Sequence, residues 1–124
     1  MRILVAEDDR VVSQLVCSVV RQAGHLPIPA YDSIQTLMYA MRAPIPELIV
    51  LDLNMPGGAG IDSLRRLKSS SKTASIPVIV LSGNTDERTP AMVKELGAES
   101  FLPKPVDSEA LLAAMRAALE HLAG

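Results

Sequence analysis

Leu26-Pro27-Ile28-Pro29-Ala30 reads as a short strand carrying two prolines, and its place settles the order of every other strand. Successive residues of a strand point their N–H groups to opposite sides, so Pro27 and Pro29 blank the same side. One flank can pair while the other faces solvent, which makes the segment an edge strand. Three further runs, Ile3-Leu4-Val5-Ala6, Leu48-Ile49-Val50-Leu51 and Val78-Ile79-Val80-Leu81, are apolar without alternation. Strands covered by helices on both faces require that pattern. Phe101-Leu102 is a weaker fifth run.

Helical patterns lie between the runs. Val12, Leu15, Val16, Val19, Val20 and Ala23 form a stripe at helical spacing, with Asp9 as cap and Gly24 past the end. Ile34, Leu37, Met38 and Met41 form a second stripe, and Ile61, Leu64 and Leu67 a third. Leu111, Leu112, Met115, Ala118, Leu119 and Leu122 form the last, behind Asp107 or Ser108 as cap. A helix begun at Thr85 or Asp86 would hold Pro90 where an N–H is needed. Thr89 as cap with Pro90 in the first helical position removes the conflict. That leaves a loop at about 83–89 and a short helix through Met92, Val93 and Leu96, closed by Gly97. Strands and helices alternate throughout, and crossovers are right-handed. The expected fold is therefore α/β: a flavodoxin-like, doubly wound five-stranded parallel sheet in the order 2-1-3-4-5, helices on both faces.

Composition narrows the function. At 124 residues and 48% hydrophobic, the chain suits one domain over residues 1–124, able to fold without disulfides or a structural metal. Cys17 is the single cysteine, which excludes an internal disulfide and a multi-cysteine zinc site, and it reads as a small residue at the core's edge. Twelve basic against 14 acidic residues give a net charge of -2 and no global basic field for nucleic acid. Tyr31, Tyr39 and Phe101 are too few for a base-stacking platform. Four apolar residues before Glu7 make neither a signal peptide nor a membrane span, so the expected compartment is the cytoplasm.

The chemistry gathers at one edge. In a parallel sheet all carboxyl ends of strands lie together, where ligands bind in open α/β folds. Ile3–Ala6 leads into Glu7-Asp8-Asp9, Leu48–Leu51 into Asp52, Val78–Leu81 into Ser82, and Phe101-Leu102 through Pro103 into Lys104. Glu7, Asp8 and Asp52 together are untenable in a tight cleft unless a cation enters. Hard oxygen donors without histidine or cysteine select Mg²⁺ or Mn²⁺ over zinc. One such ion and the Lys104 ammonium neutralise the three acids. A phosphoryl group bonded to Asp52 replaces that carboxylate's charge with about -2, leaving the site near -1.

Glu7-Asp8-Asp9 after its strand, Leu51-Asp52-Leu53-Asn54-Met55-Pro56-Gly57 with Gly60, Leu81-Ser82-Gly83, and Gly97-Ala98 followed by Phe101-Leu102-Pro103-Lys104-Pro105 occur in that order along the chain. This set resembles the receiver domain of two-component response regulators, in family order and spacing over the whole chain. The resemblance implies that Asp52 is the phosphoacceptor, supplied by a sensor histidine kinase or a histidine phosphotransfer protein. It implies Mg²⁺ on Glu7, Asp8, Asp52 and the backbone carbonyl of Asn54, with Ser82 and Lys104 on the phosphoryl oxygens. Ser82 and Phe101 would be the switch pair, Asn54 and Asn84 would tune the acyl-phosphate lifetime, and Lys104-Pro105 would be a cis peptide. Phe101 stands where many members carry tyrosine or histidine, and Ala59 where aspartate is frequent. The family's usual contact face is the fourth helix, fifth strand and fifth helix, serving a protein effector or a homodimer; no membrane partner is implied. Catalysis would be directed only at the chain itself.

Several residues have plainer readings. Asp9 is a helix cap, His25 follows a helix-ending glycine, and His121 lies in a last helical turn. Arg65-Arg66-Lys68 reads as a solvated helix face. Gly57-Gly58-Ala59-Gly60 lacks the lysine of a phosphate-binding loop. Two competing functions are an Mg²⁺-dependent phosphatase or nuclease acting on an external substrate, and a receiver-like binding module that is never phosphorylated. Against the first, position 54 is an amide and the chain has no length for a substrate cap; against the second, neither an acid nor the lysine is lost.

Overall fold

A computed structural model of the chain describes residues 1–55, 60–83 and 88–123, the side chains of 121–123 excepted. The parallel strands β1 (Arg2–Ala6), β2 (Leu26–Ala30), β3 (Leu48–Asp52), β4 (Val78–Ser82) and β5 (Ser100–Pro103) form one sheet in the order β2-β1-β3-β4-β5. The proline strand is an edge, as expected. Leu26 N–H donates inward to Met1 O at 2.8 Å, while Pro27 and Pro29 stand opposite Ile3 and Val5 with no N–H to offer the outer side. Helices α1 (Arg10–Gln22), α2 (Ser33–Met41), α3 (Gly60–Ser69), α4 (Thr89–Glu95) and α5 (Ser108–Ala123) alternate with the strands.

Strand alternation divides the core into two layers. Ile3, Val5, Leu48, Val50, Ile79 and Leu81 pack against Val16, Val20, Leu111 and Met115 of α1 and α5. Leu4, Ala6, Ile49, Leu51, Val78 and Val80 pack against Ala40, Leu64, Leu67 and Val93 of α2, α3 and α4. The central strands β3 and β4 are buried at all five positions each, which is why their sequences carry no alternation.

The helix stripes needed correction. In α2 the face against the sheet is Ser33, Thr36 and Ala40, whereas Ile34 is 72% exposed and Met38 and Met41 are also exposed. Small side chains bring the helix close to the sheet, and burial of the Thr36 hydroxyl is tolerated because it donates to Asp32 O at 2.8 Å. In α1, Leu15 and Ala23 are exposed and Ser13 and Cys17 take their places in the core. The N-cap position of α4 is Arg88 rather than Thr89, with no side-chain capping bond, so Pro90 follows one residue inside the helix. Lys68 is not on a solvated face: it is half-buried and donates to Ala74 O and Ile76 O at 3.1 and 2.7 Å.

Other local signals hold. Asp9 Oδ1 accepts from Val11 N and Val12 N at 2.9 and 3.2 Å, and Asp107 caps α5 through Glu109 N at 3.1 Å. Gly24 and Gly97 end α1 and α4 at φ 88° and 104°. Gly60 begins α3 so close to the chain after Asp52 that a Cβ there would overlap the Leu53 backbone. The Lys104-Pro105 peptide is cis as the motif implied, and Ala43-Pro44, which no motif marked, is cis too. The Gly57–Ala59 stretch and Asn84, with most of the loop expected at 83–89, lie outside the described residues, as do the side chains of His121 and Leu122.

Candidate functional site

The carboxyl ends of β1, β3, β4 and β5 bring the expected residues to one edge. Asp52 is opposite Leu81, and Ser82 opposite Pro103, so the functional positions stagger across neighbouring strands. Asp52 continues the alternation of Leu48 and Val50 toward the α1 and α5 side, whereas Ser82 continues that of Val78 and Val80 on the other side. The two reach the site from opposite faces. Lys104 follows β5, tied to β4 by its own N–H donating to Ser82 O at 2.9 Å.

Glu7, Asp52 and Ser82 are buried, and Asp8 is half-buried. One carboxylate oxygen from each of Glu7, Asp8 and Asp52 lies within 4.8 Å of the others. Lys104 Nζ spans two of the acids, 2.7 Å from Glu7 Oε1 and 3.2 Å from Asp52 Oδ1. Asp52 Oδ1 also accepts from Asn54 N at 3.1 Å, and Glu7 Oε2 from Asp9 N at 3.2 Å. Asp52 Oδ2 is buried with no hydrogen-bond partner among the described residues. Asp9 therefore has a second task that its cap signal did not reveal, because the contact uses a backbone N–H that no residue type announces.

The electrostatics follow from crowding. Burial, with the hydrogen bond and charge of Asp52, pushes Glu7 from the ordinary 4.5 to about 7, against the pull of Lys104 and the Asp9 N–H. Burial draws the Lys104 ammonium down, but the hydrogen bond and charge of Glu7 and the charge of Asp52 more than reverse it, leaving its pKa above the ordinary lysine value. One internal cation thus pairs with two of the three acids. The donor set is hard oxygen only, with one carboxylate oxygen from each of three acids gathered within 4.8 Å of the others. The residues fit Mg²⁺ or Mn²⁺.

The family model for the response regulator receiver domain matches residues 3–116. The chain belongs to that family. Among curated relatives of this receiver, the phosphate regulon transcriptional regulatory protein PhoB of Escherichia coli (strain K12) is 35% identical over 121 residues, covering 98% of this chain and 52% of that protein. The chain thus spans about half the length of the curated relatives it matches. Among solved structures, the chemotaxis response regulator CheY4 of Vibrio cholerae superposes with a TM-score of 0.85 at 26% identity, covering 94% of this chain and 97% of that one. The Mn²⁺-bound form of response regulator Rcp1 superposes with a TM-score of 0.80 at 27% identity, covering 94% and 89%. Receiver domains of response regulators are signalling modules of two-component systems, and no helix among the described residues is long and apolar enough to cross a membrane.

Proposed function

We infer that Asp52 is the phosphoacceptor of this receiver and that residues 1–124 act as one switching unit. The observation that carries this is the division of labour on its carboxylate. Oδ1 is held by Lys104 and the Asn54 N–H, while Oδ2 is buried, unpartnered and therefore available as nucleophile. Oδ2 attacks phosphorus of a phosphohistidine on a sensor kinase or phosphotransfer protein; a P–O bond forms, the P–N bond breaks, and the imidazole leaves with a proton. Asp52 is fully covered, so a covering side chain must shift first, and Lys104, bonded to its Oδ1 and at 22% exposure, is one that water already reaches.

Glu7, Asp8, Asp52 and the Asn54 carbonyl would hold Mg²⁺ or Mn²⁺, which neutralises charge on the transferring group. The Mn²⁺ held by the neighbour Rcp1 supports that assignment. Lys104 then pairs with a phosphoryl oxygen instead of two acids, and the Ser82 hydroxyl donates to another. Phe101 stands opposite Val80 on the same face as Ser82, half-buried against the α2, α3 and α4 layer, which supports coupling between the two. The output is a changed α4, β5 and α5 surface, read by a protein effector or a second copy. Asn54 and Asn84 supply no carboxylate base to water, so self-hydrolysis is slow to moderate.

The test is intact-mass measurement after incubation with Mg²⁺ and acetyl phosphate. A single hydroxylamine-labile phosphoryl adduct is expected in the wild type and absent from Asp52→Ala. No adduct with any donor overturns the assignment, and steady turnover of external phosphoesters favours a hydrolase instead.

A further inference from the structure

We propose that Tyr31 is a positioning residue for the cation site: its ring holds the Arg10 guanidinium off the Asp8 carboxylate and keeps that carboxylate free for a divalent ion. The role rests on the assignment of Glu7, Asp8 and Asp52 to Mg²⁺ above.

Arg10 stands in an awkward place. It is the first residue of α1, where the positive end of the helix dipole disfavours a cation, and it follows three acids directly. Arg10 is exposed, yet among the described residues it forms no ion pair. Its guanidinium carbon lies instead 3.5 Å from the centroid of the Tyr31 ring, well inside the ~6 Å over which an aromatic face attracts a cation.

The ring is fixed beside the acids. Tyr31 follows β2 directly, and the neighbouring Ala30 O accepts the Glu7 N–H at 2.9 Å, so ring and acidic loop share one strand end. Tyr31 N–H donates to Gln35 Oε1 at 2.8 Å, and Gln35 N–H to Asp32 Oδ1 at 2.7 Å, which ties the residue to the first turn of α2.

Elimination names the acid that Arg10 takes when the ring is removed. Glu7 is buried and bonded to Lys104, and Asp52 is buried and bonded to Lys104 and the Asn54 N–H. Asp9 is engaged as the cap of α1. Asp8 is half-buried and has no hydrogen bond or ion pair among the described residues. It lies two residues from Arg10, at most about 7 Å along the chain, within the span of an extended arginine side chain. An exposed cation–π contact and an exposed ion pair are of similar worth, so the presence of the ring decides between them. A guanidinium on Asp8 competes with a divalent ion for the same oxygens. One stacked on Tyr31 does not.

The test is an amide NMR titration of the full chain with MgCl₂ at constant ionic strength, reading Kd from the shifts of Asp8 and Asn54. Tyr31→Leu should weaken Mg²⁺ binding by about two- to fivefold, the range of one exposed ion pair. Tyr31→Phe, which keeps the ring, should bind as the wild type does. Arg10→Gln should bind at least as tightly as the wild type, because it removes a cation near the acids. The double variant Tyr31→Leu/Arg10→Gln should recover the affinity of Arg10→Gln. A merely structural role for Tyr31 would not give that recovery, since a disturbed loop would stay disturbed without the arginine. The proposal is overturned if Tyr31→Leu binds undiminished, if Tyr31→Phe loses as much, or if the loss persists in the double variant. A wild type without saturable shifts overturns the metal site itself, and this role with it; saturable wild-type binding that Asp8→Asn abolishes upholds the site whichever way the Tyr31 variants behave.

Discussion

Burial and the nearby Asp52 carboxylate raise the pKa of Glu7 to about 7, so the folded chain holds this proton well above the ordinary carboxylate range. The unfolded chain gives it the ordinary 4.5. Between those values the folded state binds more protons than the unfolded one, so stability falls as pH rises through that window and levels off above it. At about 1.4 kcal/mol per unit, the loss is on the order of 3 kcal/mol. Urea midpoints of the metal-free protein should therefore decrease from pH 5 to pH 8, and Glu7→Gln should flatten most of the decrease. A wild-type midpoint that rose over this range would contradict the assignment. The identity of the acids was legible in their motifs. Their strain was not, because it comes from three carboxylates gathered from strands distant in sequence, two of them sharing one lysine.

Elements were legible in proportion to how far burial alone shapes them. Strands β3 and β4 are covered on both sides, and their unbroken apolar runs say so directly. Helix α2 is the counterexample: its apolar residues Ile34, Met38 and Met41 face outward while Ser33, Thr36 and Ala40 touch the core. Periodicity finds the most apolar stripe, but close approach to a sheet selects for small side chains, and the two need not coincide. The proline edge carries its own consequence. With Pro27 and Pro29 opposite Ile3 and Val5, β2 offers no outward N–H at those positions. Replacing both by valine restores two outward donors beside the outward carbonyls and makes a template for another strand. The double variant should keep its far-ultraviolet circular dichroism yet show concentration-dependent association in sedimentation velocity. A strictly monomeric variant at high concentration would show that the prolines do not guard this edge.

At the scale of the whole molecule, the site and the core share one sheet, so metal, proton and folding equilibria are linked. An ion that binds only the folded chain stabilises it by about 2.7 kcal/mol at a hundredfold excess over Kd, several degrees in Tm for a domain of this size. Mg²⁺ competes with the proton on Glu7, because the protonated carboxyl is a poor ligand. Three outcomes should therefore appear together in thermal melts. Tm should rise with the logarithm of Mg²⁺ concentration at pH 8. The half-effective concentration should move upward at pH 6. Asp8→Asn should lose most of the response while keeping the metal-free Tm close to that of the wild type, since Asp8 is half-buried and takes no part in the Lys104 pairs. The pH shift is the discriminating result: an ion adsorbed on the general surface would stabilise equally at both pH values, whereas one held by Glu7 must displace its proton first.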